Sequence, residues 1–376
     1  MFLYPIAELY RYRIALRAAL AAAVYDVGDG VTTAHGPVRF GVIGLNHDHI
    51  YGMVRTLTGA GAELVAFHAP EDELAGRFTA RFPGVRRAAT REAILEDPAL
   101  HLIASAAIPD ERAPIGVLAM RHGKDYLSDK PGFTTLDQLA EVRRVQAETG
   151  RIHAVFYGER FENAATVRAG ELVAAGAIGR PLQTIGLGPH RLRPDTRPAW
   201  FFDRARYGGI VNDIAAHQMD QFLHFTGSQS AEVVASQIGN LAHPQWPDFE
   251  DFGDVMLRGD GGTGYVRVDW FTPDGLESWG DTRLTILGTT GFIEVRKNCD
   301  VAGRPGPNHL FLVDGQGTRY IDCTAVELPF GRLFVADILA RTETAMTQAY
   351  SFLASELALR AQAGARELTE LAQKEA

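Results

Sequence analysis

Short apolar runs alternate with helically spaced ones through the first part of the chain. Residues 38–43 form a β-rich run ending at Gly44, and the segment after it opens a helix. Further runs lie at 64–67, at 102–107 before Pro109, at 126–127 and at 152–156. Between them, 70–82, 112–122 and 136–149 carry helical spacing and stop at Pro83-Gly84, Gly123 and Gly150, residues that end helices. Strand and helix alternating at this spacing predict a parallel sheet with right-handed crossovers. Ligands of such sheets sit beyond the carboxyl ends of the strands.

The second half follows a different pattern. Helical spacing at 164–175 and 213–225 precedes strand-like runs at 232–238, 254–257, 264–270, 283–287, 292–295 and 309–313. The connections are short and rich in Gly, Asp and Pro, as hairpins require. A mostly antiparallel sheet with helices on one face is expected, covered by a helix over 334–362 that ends at Gly364. A chain of 376 residues is too long for one ordinary core. The expected domains are 37–157 and 158–376, with 1–36 an N-terminal extension of uncertain role.

Composition narrows the class. With 46% hydrophobic and 22% charged residues the chain is of ordinary globular make-up, which argues against disorder. A net charge of −9 argues against a nucleic-acid partner, whose phosphates reward a basic surface. Only Cys299 and Cys323 occur, without disulfide or metal spacing, so a reducing, cytoplasmic setting is the simplest reading. No apolar run reaches the length of a membrane span. Residues 14–24, after Arg11 and Arg13, faintly resemble an export signal, but Glu8 and Arg17 interrupt that pattern.

The turn Gly44-Leu45-Asn46-His47-Asp48-His49 stands where a dinucleotide fingerprint belongs. Gly44 supplies the tight exit from the strand, while Asn46 and His49 replace the second and third glycines. His47, Asp48 and His49 are poorly spaced as metal ligands and no third partner is evident, so no metal is expected. An acid for the adenosine ribose belongs near Phe67-His68-Ala69; none is there, and Glu71 and Asp72 come late. That absence removes repulsion against a 2′-phosphate and leaves NAD and NADP both open. Ala107, Pro109 and Asp129 join the turn residues as candidate cofactor contacts, because they follow strand ends.

Lys130, in Ser128-Asp129-Lys130-Pro131, follows the fourth run on the same ligand edge. A lysine there can hydrogen-bond a substrate oxygen and share proton transfer. The segment from Tyr207 to Asp220 contains Gly208-Gly209, Asp213 and His217. At about 100° per residue, Asp213, His217, Asp220 and His224 fall on one helix face. Two carboxylates and two imidazoles on one face point to acid–base chemistry.

Together these segments resemble the glucose–fructose oxidoreductase, inositol dehydrogenase and MocA family. The resemblance rests on Gly44, Asp129-Lys130-Pro131, Gly208-Gly209 leading to Asp213 and His217, Arg160-Phe161, and the run from Thr285 to Gly291. It covers about residues 38–365, with Asp129 replacing a glutamate. It implies an α/β chain: a Rossmann doubly wound parallel sheet, then an α+β domain whose open sheet often makes homo-oligomer contacts. It further implies an NAD(P)-dependent oxidoreductase acting on a sugar, cyclitol or related polyol. Lys130, Asp213 and His217 would be catalytic, with His217 or Lys130 as principal acid–base group. Arg160, His190, Arg191, Trp200 and Trp279 are candidates for substrate contacts, beside Asp213 and His217. Two other readings are an NAD-assisted glycoside-cleaving enzyme of the same fold and a dinucleotide-binding protein without catalysis.

Overall fold

A computed structural model describes residues 36–368. The expected N-terminal extension, with its export-like stretch, lies outside the described residues apart from Gly36. Among the described residues no helix is long and apolar enough to cross a membrane.

The first sheet is built from β1 (Arg39–Ile43), β2 (Glu63–His68), β3 (Arg86–Arg87), β4 (Leu102–Ser105), β5 (Asp125–Asp129) and β6 (His153–Phe156). Helices α1 (His49–Gly59), α2 (Asp72–Arg81), α3 (Glu92–Leu95), α4 (Pro109–Arg121) and α5 (Leu136–Thr149) connect them. All pairings are parallel, in the order β3-β2-β1-β4-β5-β6. Strands β4, β5 and β6 are buried along their whole length, which is why they read as runs rather than alternations. Helix α5 begins at Thr135, whose side chain accepts from the Gln138 amide, and ends at Gly150 in the left-handed region. The order reverses between β1 and β4, and the crevice opened there is the ligand position of doubly wound sheets.

The second unit starts with α6 (Gly158–Phe161) and α7 (Ala164–Ala174), then β7 (Pro181–Pro189). Three helices follow, α8 (Arg204–Tyr207), α9 (Ile210–Asp213) and α10 (Ala216–Thr226). The rest of its sheet is β8 (Ala231–Gly239), β9 (Phe252–Gly259), β10 (Thr263–Asp269), β11 (Arg283–Gly288), β12 (Gly291–Arg296), β13 (His309–Asp314) and β14 (Gly317–Ile321). The chain closes with α11 (Phe330–Ala340), α12 (Gln348–Ala363) and β15 (Arg366–Glu367). The sheet order is β14-β13-β12-β11-β7-β10-β9-β8-β15, antiparallel except at β7–β10 and β8–β15.

Three expectations change. Strand β7, absent from the sequence reading, lies inside the sheet between β11 and β10. Its Gly186 and Gly188 hide it from a hydrophobicity pattern, and both lie under the stretch from Ile214 to Gln218 that leads into α10. A Cβ at Gly186 would stand 2.6 Å from Gln218 Cγ, and one at Gly188 would stand 3.1 Å from Ile214 Cγ2. The helix expected over 213–225 is divided, with Asp213 closing α9 and His217 near the start of α10. The amides that open α9 bond to distant side chains: Ile210 N–H to Glu250 (2.8 Å) and Val211 N–H to Gln362 (3.0 Å).

The helix expected over 334–362 is likewise two. Buried Asp337 holds the break by accepting from Thr342 Oγ1, the Thr344 amide and the Ala345 amide at 2.6–2.8 Å. Nor does this pair only cover the second sheet. Gln348, at the start of α12, accepts from the His153 amide of β6 at 2.9 Å, while Ser236 of β8 donates to Ala361 O at 2.8 Å. Helix α12 therefore ties the two sheets together.

Candidate active site

A cleft of about 250 Å³ opens at the β1/β4 crevice and is roofed by the second unit. Its walls are His47, Asp48, His49, Pro109, Arg112 and Lys130 from the first unit. From the second come His190, Arg191, Arg197, Trp200, Phe201, Tyr207, Asp213, Ile214, Trp270 and Trp279. A solvent-open groove of about 580 Å³ on α1 and α2, lined by Asp48, Tyr51, Arg55, Arg77, Ala80 and Arg81, carries no comparable acid–base set.

Lys130 leaves the end of β5 nearly buried, and its Nζ donates to Asp213 Oδ1 at 2.8 Å. His217 lies just behind this wall, 4% exposed, with its ring 6.4 Å from that of His49. Burial pushes the His217 imidazole down to about 3, the nearby Glu159 carboxylate pulling the other way. At neutral pH it is an uncharged proton acceptor. Burial also lowers His190, to about 4; its Nδ1 donates to Gly188 O at 3.0 Å, which leaves Nε2 as an acceptor. The rings of Trp270 and Trp279 stand 5.3 and 4.4 Å from that of His190.

The glycine turn survives its substitutions. Gly44 has φ +84°, and a Cβ there would lie 2.4 Å from Ala107 Cβ, so only glycine lets the chain leave β1 against the end of β4. Ala107 is therefore the floor of the turn, and Leu45 faces the core. His47 N–H and Gly44 O bond to Ala106 on that same floor. Asn46 turns outward, where its Nδ2 donates to Glu71 Oε1 at 2.8 Å. Asp48 is bound by Arg77 at 3.0 Å.

Asp129, expected at the cofactor, lies fully buried beneath the cleft. Its Oδ1 accepts from His49 Nδ1 (2.9 Å) and the Lys130 amide (2.8 Å), and Oδ2 lies 3.1 Å from Arg112. Burial alone would raise this carboxyl, but His49 and Arg112 outweigh it and hold the group well below the usual carboxylate range. The expectation that His47 and His49 have no third partner is corrected: Asp129 brings the three ligating groups within 4.8 Å of one another. Arg112 already supplies that carboxylate with a cation.

Arg160, expected at the substrate, is turned away from the cleft. It makes two 2.7 Å bonds to fully buried Asp220, and Tyr350 OH donates to the same carboxylate at 2.8 Å. This pair removes Asp220 from the expected catalytic face, and His224 is at the surface. His190, Arg191, Trp200 and Trp279 do line the cleft. Sequence reading missed Arg112, Arg197, Tyr207 and Trp270 there. Arg112 left a trace, being a charge on the helical stripe that Ile115, Gly116 and Ala119 bury. Arg197 sits in an irregular segment, Tyr207 ends the one-turn helix α8 and Trp270 follows β10, all too short or irregular for periodicity to mark.

Fold and cleft define a two-sheet α/β protein whose cleft lies between a Rossmann-like parallel sheet and an open, mostly antiparallel sheet. Residues 166–294 match the GFO/IDH/MocA C-terminal domain, and the chain belongs to the GFO/IDH/MocA family. It is 48% identical to a candidate oxidoreductase of Erwinia carotovora atroseptica, covering 88% of this chain and 99% of that one with a TM-score of 0.86. A levoglucosan dehydrogenase of Pseudarthrobacter phenanthrenivorans is 26% identical over 254 residues, 66% of this chain and 61% of the relative. A levoglucosan dehydrogenase solved with NADH and levoglucosan shares the fold at 20% identity, with a TM-score of 0.70 over 90% of this chain and 98% of that one. The matches span between 54% and 61% of the length of the first curated relatives.

Proposed function

We propose that the protein is a dehydrogenase or reductase acting with a nicotinamide dinucleotide on a carbinol carbon of a sugar, cyclitol or related polyol. The observation that carries this reading is the ion pair of buried Lys130 with half-buried Asp213, with uncharged His217 behind it, set at the strand ends facing the Gly44 turn. In oxidation His217 takes the hydroxyl proton, and in reduction it returns it. Lys130 donates a hydrogen bond to the reacting oxygen and Asp213 orients Lys130. Trp200, Trp270 and Trp279 offer apolar faces to sugar C–H groups, and His190 Nε2 accepts from a hydroxyl.

The turn residues fit a dinucleotide. Gly44 gives the required exit from β1, and Glu71 Oε2 is buried without a partner beside Asn46. A ribose hydroxyl satisfies that oxygen, whereas a 2′-phosphate would be repelled. Glu71 thus fills the role that Phe67-His68-Ala69 leaves open, and NAD is the expected cofactor. When bound, nicotinamide supplies the hydride acceptor or donor. The sheet surface bearing exposed Met256, Leu287 and Tyr320 supports a homo-oligomer, which light scattering of wild type and Leu287→Asp would test. Titration with NADH and NADPH, read by nicotinamide fluorescence, tests the cofactor reading. Tighter NADH binding is expected, and failure of both to bind overturns it.

A further inference from the structure

Behind His217 lies a buried polar group that the proposed reaction has not used. Glu159 on α6 and Lys297 just after β12 form an ion pair with side-chain exposures of 8% and 1%. Lys297 Nζ, Gln218 Nε2 (3.1 Å) and Gln221 Nε2 (3.2 Å) all donate to the same oxygen, Glu159 Oε2. Lys297 also donates to Gln221 Oε1 at 2.9 Å. The other carboxylate oxygen, Oε1, is buried without a partner, and so is Nδ1 of His217. A buried ion pair is weak as a source of stability, since apolar residues of similar volume often serve as well. Gln218 Oε1 is unmet as well, and each such buried polar atom carries a desolvation cost that a hydrogen bond removes. Of the two acceptors, the charged carboxylate oxygen is the stronger partner for an N–H. Among the charges acting on His217, that of Glu159 is the strongest.

We infer that Glu159, anchored by Lys297, accepts a hydrogen bond from His217 Nδ1–H, directly or through one water molecule, and so leaves the Nε2 lone pair for the cleft. Glu159 is a positioning residue: it touches no substrate and acts by fixing which nitrogen of His217 carries the proton. In alcohol oxidation the hydroxyl proton then moves to Nε2 as hydride leaves the carbinol carbon. The resulting imidazolium is stabilised by the carboxylate at Nδ1. The inference rests on His217 being the proton carrier, but the tautomer is observable without turnover.

The convergence of three donors on Oε2 makes Glu159→Gln a sharp test. The introduced carbonyl must occupy the Oε2 place, because Lys297, Gln218 and Gln221 donate there. Its NH2 then faces His217 Nδ1 and donates to it, which reverses the tautomer. Nitrogen-15 NMR of the full chain, with His217 assigned by its loss in His217→Ala, reads this directly. Expected are Nδ1–H in wild type and Nε2–H in Glu159→Gln, with kcat on a responsive polyol down about 100-fold or more and KM for dinucleotide unchanged. Nε2–H in wild type overturns the inference whether or not the variants fold, and so does a tautomer indifferent to Glu159→Gln. Absence of polyol turnover in wild type, with the tautomer as expected, instead overturns the proposed function and leaves the positioning intact.

Discussion

At the scale of single residues, partner supply separates structural charges from ligand-facing ones. Arg160 and Asp220 satisfy each other in a nearly sealed site, so Arg160→Met strands a buried carboxylate. The expected cost is about 3–5 kcal/mol, seen as a lower urea midpoint, with substrate KM unchanged in the folded enzyme. A raised KM at full stability would return Arg160 to the substrate. Glu71 is the opposite case, with one oxygen held by Asn46 and the other buried and unmet. Glu71→Gln should lower the preference for NADH over NADPH by about tenfold, roughly 1.4 kcal/mol, in fluorescence titrations. An unchanged ratio would remove Glu71 from the ribose site. Counting to the end of β2 leaves Glu71 slightly late, and the contact that draws it to the turn comes from the Asn46 side chain, 25 residues away in the chain.

At the scale of elements, β7 and α10 show why Asp213 and His217 sit where they do. Asp213 lines the cleft and His217 sits just behind it because the stretch from Ile214 to Gln218 lies close over β7. That closeness depends on strand positions without side chains. Gly186→Val would force Gln218 aside, with an expected loss of about 1–3 kcal/mol in denaturant unfolding. Because Gln218 donates to Glu159, kcat should fall as well; an unaltered midpoint and kcat would refute this account of the packing. Periodicity found the first sheet nearly strand for strand, since its buried strands are continuous apolar runs. It missed β7 because close packing there is achieved with glycine, which hydrophobic patterning scores as a gap. It also drew 213–225 and 334–362 as single helices, because long-range capping by Glu250 and Gln362 and the Asp337 knot leave no periodic trace.

At the scale of the whole molecule, the two sheets are joined through buried groups that respond to pH. His153 on β6 is fully buried, and its amide bonds to Gln348 of α12. Burial pushes its imidazole to about 3, against about 6.5 for an exposed histidine. The unfolded chain therefore takes up this proton first as pH falls. The contribution of His153 is complete above about pH 6.5 and declines by about 1.4 kcal/mol per pH unit on the way down to about 3. Urea unfolding of wild type and His153→Phe between pH 7 and 5 isolates it: the variant should show the shallower pH slope. Equal slopes would show that the ring is hydrated or partnered in solution.

The sequence by itself determined the alternation of elements in the first unit, its parallel sheet, the mostly antiparallel second one, and the turn and strand end that carry Gly44 and Lys130. These are local properties, carried by periodicity, turn residues and chain connectivity. Tertiary structure decided which charges meet: Lys130 with Asp213, Arg160 with Asp220, His49 and Arg112 with Asp129, and Glu159 with Lys297 behind His217. Those partners lie far apart in the chain, and burial alone makes an unmet polar atom costly enough to select one arrangement. No residue-by-residue pattern encodes that selection.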